Sequence, residues 1–316
     1  MNTCTDSPAT RPFAANRREF VKTVAAALGA AVGLPWSVRA ASPEPKPAGA
    51  LVGSQLYGWG QYYQREGKSL NDHLDEVFSA LRDAGYDYAE GSVAAANPEA
   101  NLQFAERSRA KGLKPVALYT GGRLHDEKAD EVVERLLAAA KACREAGFRV
   151  INCNPDPIGR EKTDEELKRQ AVALTTFGAG LKALGLRLGI HHHTPELVNH
   201  AREFHSNFRL CPKDTVGFNI DTHWMYRGGV APMDALRQYG DRVVSWHLRQ
   251  SRDQLWWEDL DTGDIDYAEI AQYSQTHQLP PIYSVELALE NGTKITRSAV
   301  ENNRLSREFV RRIFGC

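Results

Sequence analysis

The sequence has almost no net charge and few cysteines. Its 39 Lys and Arg residues balance 40 Asp and Glu residues, which gives a formal charge of −1. A nucleic-acid-binding protein typically concentrates basic residues on one face, so this balance predicts no nucleic-acid partner. The five cysteines include no Cys-x-x-Cys pair, and their spacings specify no disulfide framework. The sequence does not decide whether a single disulfide forms.

Long apolar runs are also missing. A bilayer-spanning helix needs about 20 apolar residues, and the apolar stretch Val24–Leu34 is much shorter than that. It follows Asn16–Lys22, which contains the pattern Arg-Arg-x-Phe-x-Lys, and it precedes small residues at positions 38–41. This combination is typical of a twin-arginine (Tat) signal peptide. We therefore predict export of the folded chain to the periplasm, without membrane insertion after leader cleavage; a basic tail on a cytoplasmic protein is the alternative.

The chain divides by composition into a signal peptide (1–41), a proline-containing linker (42–50) and one domain (51–316). In this domain short apolar strands alternate with amphipathic helices, and Gly85, Gly147 and Gly185 follow three of the helices as C-caps. This alternation predicts an α/β fold, a single (β/α)₈ TIM barrel. The predicted strands are Gly53–Tyr57, Tyr86–Gly91, Lys114–Tyr119, Arg149–Asn154, Arg187–His192, Thr215–Thr222, Val243–Leu248 and Ile282–Leu287. The predicted helices include Leu70–Ala84, Ala129–Ala146, Asp164–Leu184, Pro232–Tyr239, Tyr267–Gln275 and Ser298–Ile313.

Polar residues, most of them of types that bind metals, stand where successive strands end, which in such barrels is the active-site end. They are Glu90, Asn154, His191, His193, Asp221, His223, His247, Arg249 and Glu286. Because successive side chains of a strand face opposite sides, we expect all of the last seven to point toward the barrel axis and His192 to point away. A mixed set of imidazoles and carboxylates suits one Mn²⁺, Co²⁺, Mg²⁺, Fe²⁺ or Zn²⁺ ion better than Ca²⁺.

Five stretches of the sequence resemble the xylose isomerase-like superfamily of sugar phosphate isomerases and epimerases. They are Gly189–Glu196, Gly217–Trp224, Trp246–Gln250, Gly263–Tyr267 and Ser284–Leu287, and the similarity extends from Ser54 to the C-terminus. The resemblance implies one divalent metal held at the ends of strands five to eight. Carried over position by position, the implied metal ligands are His191 or His193, Asp221, His247 and Glu286.

Two positions depart from the family pattern. The epimerases of this family carry a glutamate at the position of His191, and they use it with the glutamate of strand eight as paired acid and base. Only Glu286 is retained here, so we expect His193, Glu196 or His223 to act as the second proton carrier.

Arg249 is the other departure, since it stands where lysine is commoner. Its planar guanidinium can hold a substrate oxygen through two hydrogen bonds, although a surface salt bridge is the alternative. We predict that the substrate contacts Glu90, Asn154, Trp224 and Arg249. Aromatic residues expected near the barrel mouth, where they could stack on sugar rings, are Trp59, Tyr62, Tyr63, Trp224, Trp256 and Trp257.

The predicted function is a metal-dependent isomerase or epimerase that acts on a keto-sugar or related free sugar through a metal-stabilised enediolate. β-Elimination on a 3-keto-glycoside or an inosose shares the first step and stays open. A non-catalytic periplasmic sugar-binding protein is the alternative from another class, whereas the charge balance and the leader oppose a DNA-repair nuclease of the endonuclease IV type. The expected partner is a small sugar, and a homo-oligomer is compatible with the sequence.

Overall fold

The structure, a computed structural model, describes residues 49–316. The predicted leader and all but the last two residues of the predicted linker lie outside these residues. Eight parallel strands close into a barrel in the order β1-β8-β7-β6-β5-β4-β3-β2, which confirms the predicted fold. The strands are β1 (Leu51–Gln55), β2 (Tyr88–Ser92), β3 (Ala117–Gly122), β4 (Val150–Pro155), β5 (Arg187–Ile190), β6 (Val216–Asp221), β7 (Val243–Leu248) and β8 (Ile282–Val285).

Helices follow the strands and cover the outside of the barrel. They are α1 (Leu56–Arg65), α2 (Leu74–Asp83), α3 (Glu99–Ala110), α4 (Ala129–Glu145), α5 (Asp164–Ala183), α6 (Thr194–Leu210), α7 (Thr222–Arg227), α8 (Pro232–Tyr239), α9 (Tyr267–Thr276) and α10 (Ala299–Phe314), with 3₁₀ turns at Leu70–His73 and Gly240–Arg242. The three predicted glycine C-caps are confirmed, since Gly85, Gly147 and Gly185 all adopt positive φ values between 75° and 88°. Such values suit glycine because it has no Cβ.

Several strands end at other residues than predicted. β3 ends at Gly122, three residues after its predicted end, and β8 ends at Val285, two residues before it. β1 ends at Gln55 because the side chain of this residue caps α1, accepting a hydrogen bond of 2.5 Å from the backbone N–H of Tyr57. β5 ends at Ile190, two residues before the predicted end, and His193 is the N-cap of α6. β7 has the predicted bounds. The chemistry-bearing side chains therefore lie on strand ends and on the first turns that follow them.

The interior of the barrel changes character along its axis. A small apolar cluster that includes Leu51, Tyr88, Val150, Val244 and Ile282 fills its amino-terminal end. Polar side chains occupy the next inward positions, two residues further along the strands, as Asn152 on β4 and Ser284 on β8 do. The apolar cluster closes one end of the barrel, so the site at the other end opens only to the carboxyl ends of the strands.

The four cysteines at positions 143, 153, 211 and 316 are buried and unbridged. Among residues 49–316 there is accordingly no disulfide. No helix in this part of the chain is both long enough and apolar enough to cross a bilayer.

Candidate active site

A cavity of about 960 Å³ opens at the carboxyl ends of the strands. On one side, its wall carries the ionisable side chains of β2, β5, β7 and β8 and of the turns that follow them. These are Glu90, His191, His193, His247, Arg249 and Glu286. The wall also includes the rings of Tyr119, Trp224 and Trp256. The position of the cavity agrees with the end of the barrel at which the sequence places the chemistry.

Three buried side chains form a group that could hold a metal ion. One donor atom from each of His191, Asp221 and His247 lies within 4.8 Å of the others. All three residues are at most 1% exposed. They come from the ends of three neighbouring strands, β5, β6 and β7, so the barrel itself brings them together.

The free carboxylate oxygen of Asp221 shows that this group fits a cation. Oδ1 of Asp221 accepts hydrogen bonds from the backbone N–H groups of His223 (2.9 Å) and Trp224 (2.7 Å), which caps α7. Oδ2 is buried and has no hydrogen-bond partner among the described residues, and Nε2 of His191 lies 4.0 Å from it. A buried carboxylate oxygen is costly when it accepts no hydrogen bond, and burial raises the pKa of Asp221 to about 6. A divalent ion would bind this oxygen.

His191 is oriented by a chain of hydrogen bonds that crosses the barrel. Its Nδ1 lies 2.7 Å from Oδ1 of Asn219, and the Asn219 amide donates to Ser245 Oγ at 2.8 Å. Ser245 donates to Oδ1 of Asn152 (2.7 Å), whose amide donates to Oε1 of Glu90 (2.9 Å). With Nδ1 engaged by Asn219, Nε2 of His191 is the nitrogen available to an ion, an arrangement typical of histidine ligands.

His247 lies between two carboxylates. Its Nδ1 is 2.9 Å from Oε2 of Glu286, and its Nε2 is 3.0 Å from Oε2 of Glu90. Burial alone would lower the pKa of His247, but the two carboxylates outweigh it and raise the pKa to about 10. Because Glu90 engages Nε2, an ion bound by His247 would take the place of the proton that Nδ1 shares with Glu286.

The sequence predicts that Glu90 contacts the substrate. The structure places this fully buried carboxylate on the cavity wall but engages both of its oxygens with protein groups. They contact His247, the amide of Asn152 and the hydroxyl of Ser284. This arrangement makes Glu90 a positioning residue for His247, and the substrate contact stays a prediction.

Glu286 and Arg249 form a buried ion pair at the centre of the site. Nη2 of Arg249 lies 2.6 Å from Oε1 of Glu286 and 3.6 Å from Oδ2 of Asp221. Burial would raise the pKa of Glu286, but the Arg249 and His247 cations together hold it well below its usual range. The guanidinium also stacks over Trp256, 4.2 Å from the ring centroid. The alternative of a surface salt bridge is wrong, because Arg249 is fully buried.

His193 and Glu196 shape the turn after β5. The imidazole of His193 lies on the cavity wall, with its centroid 4.8 Å from that of His191, and burial lowers its pKa to about 4. Glu196 closes the capping box by accepting a hydrogen bond of 2.6 Å from the His193 N–H. Its side chain is buried and outside the cavity wall, and burial raises its pKa to about 7. Glu196 thus holds the turn that carries His193.

Two other predicted site residues lie outside the cavity wall. Asn154 donates a hydrogen bond of 3.0 Å to the backbone carbonyl of His191, so it supports a ligand strand. His223 does not line the cavity, since β6 ends at Asp221 and the alternation of the strand stops there. Its role in proton transfer stays a prediction. The His223 ring instead lies edge-on to Trp256 at 5.9 Å, and neither of its nitrogens has a partner in the described structure. His192 points away from the cavity, as predicted, and packs against Phe204 and Phe208.

The predicted aromatic mouth is only partly correct. Trp224 and Trp256 line the cavity, but Trp59 is buried and donates to Ser54. Tyr62 is also buried and accepts a hydrogen bond from Asn302, so neither of these rings is available to a sugar. Tyr119 was missed. Its ring lies edge-on to His191 at 5.3 Å, and its place at the end of the third predicted strand is the signal that could have identified it.

Several known proteins are similar to this chain. An inosose dehydratase from Lacticaseibacillus casei is 27% identical over 92 residues, which is 29% of this chain. The match spans 31% of the length of that relative.

Solved structures match over most of the chain but with low identity. A sugar phosphate isomerase/epimerase from Parabacteroides distasonis ATCC 8503 superposes with a TM-score of 0.69 at 17% identity, covering 88% of this chain and 98% of that one. The D-psicose 3-epimerase of Clostridium cellulolyticum H10, solved with D-tagatose, superposes with a TM-score of 0.67 at 12% identity. This match covers 84% of this chain and 100% of that one. The IolI protein, solved with a zinc atom, superposes with a TM-score of 0.63 at 18% identity, covering 84% of this chain and 98% of that one. These similarities show the fold.

The family itself is shown by a longer match. Residues 78–309, well over half of the chain, match the model of the family described as xylose isomerase-like TIM barrel. The matched segment contains the six ionisable cavity residues from Glu90 to Glu286. The chain therefore belongs to the xylose isomerase-like TIM-barrel family.

Proposed function

We propose that this protein is a divalent-metal-dependent isomerase or epimerase that acts on a keto-sugar. The observation that supports it most strongly is the buried group of His191, Asp221 and His247, in which Asp221 Oδ2 accepts no hydrogen bond from the described residues. The group adjoins a cavity large enough for a sugar. Two similar structures support the same reading: one is an epimerase solved with D-tagatose, and the other is IolI, solved with a zinc atom.

His191, Asp221 and His247 would hold the ion, and Glu286 lies beside them. A bound divalent cation would supply Lewis-acid polarisation of a sugar carbonyl and would make the adjacent C–H more acidic. Glu90, through His247, and Asn219, through His191, fix the ring orientations of the two histidine ligands.

Two side chains on the cavity wall are suited to proton transfer. Glu286 is held in its ionised form by Arg249 and can accept a proton. His193, with a pKa of about 4, is neutral near pH 7 and can also accept one. The Arg249 guanidinium carbon lies 5.3 Å from the ring centroid of Trp224 and 4.2 Å from that of Trp256. The two rings thus limit the access of water to the ion pair of Arg249 and Glu286.

The test combines metal removal with deuterium exchange. Dialysis against EDTA should abolish exchange of the C–H next to the carbonyl of a ketohexose in D₂O, and Mn²⁺ or Co²⁺ should restore it. NMR follows the exchange whatever the product is. Undiminished exchange in the metal-free protein would refute the proposal, and a non-catalytic sugar-binding protein would bind the sugar but exchange nothing.

β-Elimination is the second candidate, and the match to an inosose dehydratase favours it. Elimination needs one base next to the carbonyl and departure of a β substituent, so the replacement of the second glutamate by His191 is no obstacle. An inosose substrate should then lose the mass of one water molecule. Mass spectrometry of the reaction with an inosose and with a ketohexose separates elimination from isomerisation.

We also propose that the chain is exported by the Tat route. The support is the Arg-Arg-x-Phe-x-Lys pattern at residues 17–22 and the apolar stretch after it. Replacing both arginines (Arg17→Lys with Arg18→Lys) should retain the protein in the cytoplasm, as cell fractionation would detect. An unchanged periplasmic pool would contradict export by this route.

A further inference from the structure

The cavity has two chemically different halves. The ionisable residues described above form one half, the charged pole. The other half is built by α1, the 3₁₀ turn at residues 70–73 and the end of β2, and we call it the neutral wing. Its wall includes Gln55, Tyr57, Gly60, Gln64, Asn71 and Ser92. Apart from Glu90, which lies on β2 and belongs to the charged pole, no cavity-lining residue on these elements carries a formal charge.

The cavity is much larger than one sugar ring. A hexose has about 12 non-hydrogen atoms and fills at most about 360 Å³, even at the ~30 Å³ that each molecule takes in liquid water. The cavity measures about 960 Å³. A monosaccharide bound at the charged pole would therefore leave most of the neutral wing unfilled.

The groups in the neutral wing match hydroxyls better than charges. Gln64 and Asn71 are exposed at its rim, and their side-chain amides make no hydrogen bond to other residues of the described chain. Tyr57, which is 57% exposed, offers a ring face beside them. An amide both donates and accepts hydrogen bonds, and aromatic rings combine an apolar face with a polar edge. Together they suit a second sugar ring.

A phosphate group would find no matching charge in this wing. Phosphate recognition typically uses arginine, lysine or a helix N-terminus. The N-terminus of α1 lines this wing, but its Tyr57 N–H already donates to the Gln55 side chain. Arg249, the arginine on the cavity wall, lies at the charged pole and is paired with Glu286. The neighbouring carboxylates of Glu90 and Asp221 would repel an added anion there.

We infer that the substrate is a neutral glycoside, with its reacting ring at the charged pole and its second ring in the neutral wing. This inference rests on the proposed function, because the reacting ring is taken to be the keto-sugar. It narrows the substrate class from sugars and sugar phosphates in general to uncharged, extended ones.

The test compares ketoses that share one reacting ring. D-Fructose is the single ring, D-fructose 6-phosphate adds a charge, and maltulose, turanose and isomaltulose each add a neutral glucose through a different oxygen. We expect kcat/KM for C–H exchange in D₂O to be at least about 10-fold higher for one of the three disaccharides than for fructose. The phosphate ester should be the poorest of the five. Calorimetric binding of all five should give the same order.

Gly60 allows the neutral wing to be filled selectively. A Cβ added there would meet only the Leu70 side chain, at 3.7 Å, so a larger residue can be introduced without a backbone clash. Gly60→Leu should reduce the preference for the disaccharide over fructose by about 10-fold, and Gly60→Ala should have a smaller effect. Arg65→Ala is the matched control, since Arg65 is exposed on the same helix and outside the cavity wall; it should keep the wild-type preference.

Each outcome is informative. A preference for fructose 6-phosphate, equal binding of fructose and all disaccharides, or a disaccharide preference that survives Gly60→Leu would overturn the glycoside inference. Exchange with fructose under those conditions would leave the proposed function intact. If no ketose exchanges but a disaccharide binds and Gly60→Leu weakens its binding, the proposed function fails and the extended neutral site stands.

Discussion

The two ends of the barrel are made from the same strands but have opposite chemistry. Along β8 and the residue that follows it, the inward residues are Ile282, Ser284 and Glu286, from the apolar cluster through the polar layer to the cavity. On β4 they begin with Val150 and Asn152 in the same order. The apolar layer stabilises the barrel, whereas the polar layer orients the ligands above it. A change of two positions along one strand should therefore shift the effect of a substitution from stability to chemistry.

At the carboxyl end, Glu286→Gln should have the largest effect on the reaction. The amide keeps the shape of the side chain but cannot take a proton, so C–H exchange in D₂O should fall by about 10²- to 10⁴-fold. Metal content should persist, because His191, Asp221 and His247 are untouched. Exchange at the wild-type rate would show that Glu286 is not the proton carrier.

One layer lower, Glu90→Gln should weaken metal binding without unfolding the barrel. The neutral amide no longer stabilises the proton on His247 Nε2, and loss of such a partner typically reduces metal affinity by about 10- to 100-fold. Titration with Co²⁺, followed by its visible spectrum, measures the affinity. Ser284→Ala is the comparison, since it removes one contact of Glu90 but keeps the carboxylate; an equal loss in both variants would contradict a charge-dependent role.

Beside the ligands, Glu196→Gln should change the pH dependence of stability. Burial raises the pKa of Glu196 to about 7, above its unfolded value. Its protonated form is therefore favoured by folding, and this stability is full below the unfolded pKa and lost as pH rises through about 7. The glutamine can still accept the bond from the His193 N–H, so the variant should be more stable than wild type at pH 8, by about 1–3 kcal/mol. Urea unfolding at pH 5 and pH 8 checks this, and a gain of equal size at both pH values would exclude the titration of Glu196 as its cause.

At the amino end, Ile282→Ala should leave the metal site almost unaffected. Ile282 is 7% exposed and belongs to the apolar cluster. Its truncation should lower the free energy of unfolding by about 2–5 kcal/mol, with an unchanged Co²⁺ affinity. A loss of affinity comparable to that of Glu90→Gln would show that the two ends of the barrel are not separable.

The strand pattern predicted the barrel and most of the inward side chains because alternation is a local property of each strand. It correctly predicted both ends of β7 and the outward direction of the His192 side chain. It does not apply at His223, because α7 begins directly after Asp221 and the sequence pattern does not mark the residue at which a strand ends and a helix begins.

The hydrogen-bond partners of Glu90 could not be predicted from the sequence, for a different reason. Its contacts with His247 and Ser284 join residues 157 and 194 positions apart. They depend on side-chain directions inside a closed barrel, which periodicity does not specify. The fold and the ligand types are thus readable from the sequence, but the hydrogen-bond chain that orients the ligands is visible only in the structure.

Binding of one ion by His191, Asp221 and His247 can be measured directly. Metal-free protein should take up one Co²⁺ per chain in a calorimetric titration, and Asp221→Ala should abolish this uptake while the circular dichroism of the barrel persists. Uptake by Asp221→Ala equal to that of wild type, or none by wild type, would contradict a metal centre at these three residues.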